Sequence, residues 1–267
     1  MQYRRLQRPV MQLAMTGVIA LSLVTLSLAT PSGASNSYYS NSGFDESYPQ
    51  CSATATPSGF AIIGVSHGRP FTSNACASAE WSSASAVGRS LYFNTGYALA
   101  YAKSDTTTCK TQAAGIGFPA SGHQLSALQT AWAIGCSEAD VAFSSEPGTP
   151  VAWWADVETG NSWSTDATLN RATITGIVAE MNKLTSAGSA GSLSIPVGIY
   201  STPSMWNQIV GTGNAIPGIA ADWQAGTSHC PTSGFTLTGS QGNAPVWLIQ
   251  SGTKTVNGVA FDVDSAC

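Results

Sequence analysis

The sequence predicts an α/β fold, an irregular (β/α) TIM-like barrel built as a single domain. Three observations carry this. Short apolar runs alternate with segments of helical periodicity, the pattern of strands joined by covering helices. The runs number about eight and no glycine-rich nucleotide fingerprint accompanies them, which favours a closed barrel over an open doubly wound sheet. Helical patterning fades after about residue 212, so the barrel should be incomplete, with fewer than eight full repeats.

The N-terminal 34 residues stand apart from this pattern. Arg4, Arg5 and Arg8 precede an uncharged apolar run, and Ser32-Gly33-Ala34 supplies small residues for cleavage, so residues 1–34 read as a signal peptide. The run approaches the roughly 18–20 residues of a bilayer span, which leaves an uncleaved anchor as the alternative. Arg4-Arg5 is followed by a poor match to a twin-arginine signal. The expected product is secreted or held at the cell wall, with no stable membrane span once the signal is gone.

Residues 35–42 are rich in Ser, Asn and Tyr and are expected to form a flexible lead-in, with the barrel domain at 43–267. A short first strand at 43–47 ends at Tyr48-Pro49-Gln50-Cys51. The run 60–66 is continuously apolar, as buried parallel strands are, and delivers His67-Gly68-Arg69-Pro70 at its end. Asn74 is the expected N-cap of a helix to about Val87, and 89–94 is the next strand, with Tyr92 and Asn94 on one face. From Thr95 to about Gly122 no period emerges, which predicts a long irregular loop containing Cys109.

A helix over 123–140 (Leu125, Leu128, Ala131, Trp132) then leads to the apolar fourth strand, which begins at Ala152. Ser164-Thr165-Asp166 supplies capping chemistry for a helix to about Ser186, with Leu169, Ile174, Ile177, Val178 and Met181 near helical spacing. Strands at 195–200, 219–223, 246–250 and 259–263, with a brief helix from Pro203 around Trp206, complete the chain.

Only 9% of the 267 residues are charged, against about 25% in an average soluble protein. Removing residues 1–34 leaves seven basic residues against fourteen acidic ones, a charge of −7. No basic stripe remains, so a nucleic-acid partner is not expected. Six cysteines (Cys51, Cys76, Cys109, Cys136, Cys230, Cys267) lie in the exported part and imply three disulfides. Chain order favours 51–76, 109–136 and 230–267. No CxxC pair is present to suggest zinc; no metal or cofactor is expected, and the protein is expected to be a monomer.

The scarcity of charge makes its placement informative. Six of the fourteen acids fall at expected strand ends, where barrels of this kind build their sites. The polar residues gathered there are Asp45, His67, Arg69, Asn94, Asp156, Glu158, Tyr200, Asp222, Gln250, Asp262 and Asp264. Asp156 and Glu158 project to the same side of their strand, with Cβ atoms roughly 6.5–7 Å apart. Paired carboxyls are what glycoside hydrolysis requires: one protonates the leaving oxygen and the other supports positive charge at the anomeric carbon. Trp154, on the acids' face by alternation, and Trp163, in the loop after them, offer surfaces on which sugar rings stack. The plainer readings are that Asp156 caps the barrel or pairs with Arg69, that Asp45 stabilises a turn, and that Asp262 and Asp264 hold a cation with Asp156. His67 reads as a hydrogen-bonded strand-end residue.

The order of these motifs resembles glycoside hydrolase family 25. The resemblance rests on Phe44-Asp45-x-Ser47, Phe60-Ala61-Ile62-Ile63-Gly64, Asp156-Val157-Glu158, Gly198-Ile199-Tyr200-Ser201 and Asp262-Val263-Asp264. Phrases such as Ser47-Tyr48-Pro49-Gln50-Cys51 and Gly68-Arg69-Pro70-Phe71-Thr72 are similar to those of secreted, cysteine-bearing relatives described only as family-25-like. It spans residues 43–267. It implies a lysozyme-type muramidase that cuts the β-1,4 bond between N-acetylmuramic acid and N-acetylglucosamine of peptidoglycan with retention. Glu158 would be the general acid. Asp156 would orient the substrate's acetamido group or support the transition state. Asp45 and Asp262 would be further active-site carboxylates, with Tyr200 lining the cleft. Glu46, Asp264, the disulfides and the loop around Cys109 depart from the family pattern. The competing reading is an inactive barrel that binds cell-wall glycan or a secreted partner through the same cleft.

Overall fold

A computed structural model describes residues 38–85, 87–118, 124–187, 194–238 and 242–267. The expected signal peptide lies outside the described residues. Among those that are described, no helix is long and apolar enough to cross a membrane.

Eight strands close a barrel in sequence order: β1 (Ser42–Glu46), β2 (Phe60–Gly64), β3 (Ser90–Asn94), β4 (Trp153–Asp156), β5 (Val197–Ser201), β6 (Ala221–Ala225), β7 (Val246–Val256) and β8 (Val259–Ala266). Strands β1 to β7 run parallel, and β8 is antiparallel to both β7 and β1. The reversal follows from the turn. Asn257 and Gly258 both have positive φ (49° and 85°), the backbone of a two-residue hairpin whose twist matches that of its strands. A hairpin that short cannot make a parallel crossover. The sheet expected as parallel is therefore mixed, and among the described residues no helix follows Val210, in keeping with the fading periodicity.

Alternation along the strands sorts the apolar residues into two bodies. Phe60, Ile62, Trp154, Trp223 and Leu248 fill the barrel interior. Phe44, Ile63, Leu91, Phe93, Trp153 and Val157 face outward onto the helices, where Ile174, Ile177 and Met181 meet them. The helices are α1 (Ala77–Ser83), α2 (Thr107–Ala114), α3 (Leu125–Phe143), α4 (Ala167–Ala187) and α5 (Pro203–Val210). Helices α3 and α4 pack closely because Gly135 and Gly176 carry no Cβ: one built on either would stand about 2 Å from a carbonyl oxygen of the facing helix. The expected cap of α4 is present, with Ser164 Oγ accepting from the Asp166 amide and Asp166 Oδ1 from that of Thr168.

Several local expectations are corrected. Helix α1 is shorter than expected. Asn74 Oδ1 does accept from the Cys76 amide, but the Asn74 amide group donates to Gly64 O and to Glu80 rather than serving the helix start. The stretch expected as an irregular loop holds a 3-10 turn (Leu99–Ser104) and α2. Its sequence Thr-Thr-Cys-Lys-Thr-Gln-Ala-Ala has no apolar face, so no period announces it; the Thr106 cap and the Cys109–Cys136 bond hold it to α3. The lead-in is anchored at its end. Tyr39 is buried among the barrel residues, and its hydroxyl bonds Ser90 Oγ at 2.5 Å and accepts from Trp154 Nε1 at 3.0 Å. The disulfides pair 51–76, 109–136 and 230–267, as chain order favours.

Candidate active site

The interior of the barrel changes character along its axis. Below, Trp154, Phe60 and Leu248 form a dry plug. Above, polar side chains from six strands border a half-open cleft of about 190 Å³. Asp45 comes from β1, Asn94 from β3, Asp156 from β4, Tyr200 from β5, Gln250 from β7 and Asp262 from β8, while Glu158 stands two residues beyond the end of β4.

Asp262 reaches this rim for a reason that strand-end counting misses. It sits in the first half of β8, and the antiparallel course of that strand sets it opposite Asp45. Gln250 likewise lies mid-strand, because β7 continues past the rim into an exposed hairpin.

The side chains form a connected network. Tyr200 OH donates to Gln250 Oε1 (2.8 Å), and Gln250 Nε2 donates to Asp45 Oδ2 (2.9 Å). Asn94 Nδ2 donates to Asp156 Oδ2, and Ser66 Oγ orients Asn94 by donating to its Oδ1 and accepting from its amide, both at 2.8 Å. The loop carrying Glu158 is pinned from beneath. Trp163 Nε1 donates to Glu158 O (2.9 Å), Ser201 Oγ to Val157 O (2.6 Å), and Asn161 Nδ2 to Asp156 O (3.2 Å). Glu158 itself remains half-exposed over the cleft.

No Lys, Arg or His lines this cleft, so its carboxyls have no cation to lean on. Burial, followed by the charge of Asp262, raises Asp45 to about 7. Burial and then Glu158 drive Asp156 well above the carboxylate range, against the bonds from Asn94 and Asn161. Glu158 is raised by burial, a hydrogen bond with Tyr200 opposes that, and Asp262 adds to it. A cluster of acids crowded in this way retains protons at neutral pH, the condition for general acid catalysis by a carboxyl.

Of the residues singled out from sequence, Asp45, Asn94, Asp156, Glu158, Tyr200, Gln250 and Asp262 meet at the cleft, and six do not: Trp154, Asp222, Trp163 and Arg69, together with His67, which is exposed and stacked on Tyr48, and Asp264, which is buried. Trp154 does share the inward face of β4 with Asp156, but lies one layer deeper and is fully buried, its ring accommodated by Gly198 on β5. Asp222 points outward because Trp223 takes the inward position, and its carboxylate is bonded by Phe235 N, Thr236 N and Thr236 Oγ1. Trp163 borders a neighbouring depression with Asn161, Ser164 and Gln208. Arg69 is exposed and does not line the cleft. Ser47, Tyr48, Gly68, Tyr92 and Trp223 line the cleft in addition. Alternation with Asn94 already pointed to Tyr92; Tyr48 opens a short 3-10 turn and Gly68 lies in a loop, and neither carries such a signal. Among the described residues, the groups with metal-ligand spacing are Cys51, Cys76 and Glu80, and Cys109, Cys136 and Glu180. Both rest on disulfide sulfurs, and neither includes the acids of the cleft.

Neither a protein-family model nor a curated protein matches the sequence. Solved structures do match. The family GH25 lysozyme of Aspergillus fumigatus superposes with a TM-score of 0.51 at 16% identity, over 85% of this chain and 93% of that one. This barrel has the fold of a family GH25 lysozyme. The lysozyme of Streptomyces coelicolor is similar to it as well, with a TM-score of 0.50 at 19% identity over 85% and 91% of the two chains.

Proposed function

We propose that this protein is a secreted glycoside hydrolase that cuts N-acetylated cell-wall glycan, acting on peptidoglycan in the manner of a muramidase. The observation that carries the reading is the convergence of Asp45, Asp156, Glu158 and Asp262, from three separate places in the chain, on one open cleft without a cation. The fold shared with lysozymes supports it, and so does the order of the family-25-like motifs.

In this reading Glu158 protonates the glycosidic oxygen of the leaving sugar. It is half-exposed over the cleft, burial favours its protonated form, and it is mounted on a loop whose backbone carbonyls are tied down, so its carboxyl is placed to give a proton. Asp156 lies deeper, with Oδ2 held by Asn94 and Oδ1 without a protein partner. That free oxygen orients the acetamido group or faces the positive charge that develops at the anomeric carbon. Asp45 and Asp262 flank the same space, and Tyr200 lines it.

The test is release of reducing ends from purified peptidoglycan together with clearing of a cell-wall suspension. Wild-type protein should do both, and Glu158→Gln should lower the rate by about 10²–10⁴-fold while leaving the fold intact. Saturable binding to peptidoglycan without release by the wild type would overturn the reading in favour of a glycan-binding barrel.

A further inference from the structure

Among the acids facing into the barrel, the mechanism above leaves Asp264 without a task. Asp264 lies on β8 beneath the rim and is fully buried. Its Oδ1 accepts from Trp223 Nε1 at 2.8 Å, and its Oδ2 has no donor. Asp264 pairs with Gly43 across β8 and β1, two positions from the Asp45–Asp262 pair and on the same inward face, so its neighbour across the strands is Asp45, whose carboxyl interacts with it. Asp45 in turn already accepts from Gln250 Nε2 through Oδ2.

The directions of the surrounding bonds are dictated by chemistry. An indole N–H and an amide NH₂ only donate, so Trp223 and Gln250 each treat their carboxyl as an acceptor. Two ionised carboxylates at the remaining contact would set acceptor against acceptor and charge against charge. A single proton on the Asp45–Asp264 contact removes both conflicts and gives the orphan oxygen a partner. Depth decides where it resides. Asp264 is 0% exposed and Asp45 is 8% exposed at the edge of the cleft, so a charge is costlier on Asp264. The other ionisable groups facing the pair are Asp262 on β8, Glu158 above, Asp156 on β4, and Tyr39, Tyr92 and Tyr200. None of them is a cation.

We propose that Asp264 is a neutral carboxylic acid in the folded protein and acts as a positioning residue, its O–H donating to Asp45 and holding that carboxyl, with Gln250 on the other side, in one orientation at the edge of the cleft. What Asp45 is positioned for rests on the glycosidase reading; the location of the proton does not.

Infrared spectroscopy tests the proton directly. With aspartate ¹³C-labelled at the carboxyl, above the pH at which Asp45 ionises, the difference between wild type and Asp264→Asn should show loss of a protonated-carboxyl carbonyl stretch. Loss of an ionised-carboxylate band instead would overturn the proposal, whether or not the protein hydrolyses glycan. The positioning role is read from kinetics on peptidoglycan. Asp264→Asn keeps a neutral N–H donor and should retain kcat within about threefold, while Asp264→Ala, which removes the donor, should lower kcat by at least about tenfold with little change in KM. Equal impairment of the two variants would refute donation as the function of Asp264. Should the alanine variant fail to fold, the infrared difference on the asparagine variant still decides where the proton is.

Discussion

Glu46 offers a measurement in which the sign and the size both come from the structure. It is the residue after Asp45 on β1, so its side chain leaves the barrel on the opposite face, where it is 2% exposed and its Oε1 has no partner. Burial, then the nearby Glu80 and Asp45, raises it from 4.5 to about 8. Between those values the folded protein holds a proton that the unfolded chain has released. Stability therefore falls as pH climbs from about 4.5 to about 8, and is level beyond. At about 1.4 kcal/mol for each pKa unit, the loss attributable to Glu46 amounts to about 4–5 kcal/mol.

Glu46→Gln removes the ionisation while keeping the shape. In paired urea-unfolding series the variant and wild type should agree near about pH 5, and the variant should be more stable by about 4 kcal/mol near about pH 9. In thermal unfolding that difference corresponds to roughly 8–15 °C for a domain of this size. Raised acids that do not interact with Glu46 are common to both proteins and cancel in the comparison, while Asp45 and Glu80, whose charges act on Glu46, shift with it. Stability curves that ran parallel across the whole interval would refute the argument and mean that Glu46 finds, on ionising, a compensation that its buried Oε1 does not reveal.

Two further outcomes separate structural residues from those that border the cleft. Asp222→Ala leaves Phe235 N, Thr236 N and Thr236 Oγ1 without their acceptor and should cost about 3–5 kcal/mol in chemical unfolding, with KM for peptidoglycan unchanged at temperatures where the variant is folded. Trp154→Ala empties the centre of the barrel plug and should also cost about 3–5 kcal/mol. A rise in KM for glycan with unchanged stability would instead show that Trp154 meets substrate.

The architecture was legible wherever a residue's surroundings are set by its near neighbours along the chain. The continuous apolar run at β2, the alternation at β4 and the period of α4 all translate into observed elements, because each reports burial over one contiguous stretch. Helix α2 was not legible, since it is held by a disulfide and a threonine cap rather than by an apolar face. The strand ends of β1 and β4 pointed to Asp45, Asp156 and Glu158, which share one cleft because parallel strands deliver their last residues to one rim. Asp222 stood at a strand end by the same count, yet whether it faced in or out depended on which face Trp223 took.

By itself, then, the chain indicated its class of fold, a favoured order of disulfide pairs among several open ones and the group of acids worth watching, since periodicity, cysteine order and scarce charge are all local quantities. Three matters were decided only in the tertiary structure. The depth of the barrel separated Trp154 from Asp156, although both lie on the same face of one strand. The reversal at Asn257-Gly258 turned β8 around and set Asp262 against Asp45 from mid-strand. Closure of the barrel then packed Asp45, Asp156, Glu158, Asp262 and Asp264 together without a cation. The proton on such a cluster belongs to the assembled group, because the cost of each charge depends on neighbours that lie far apart in sequence and meet only once the barrel has closed.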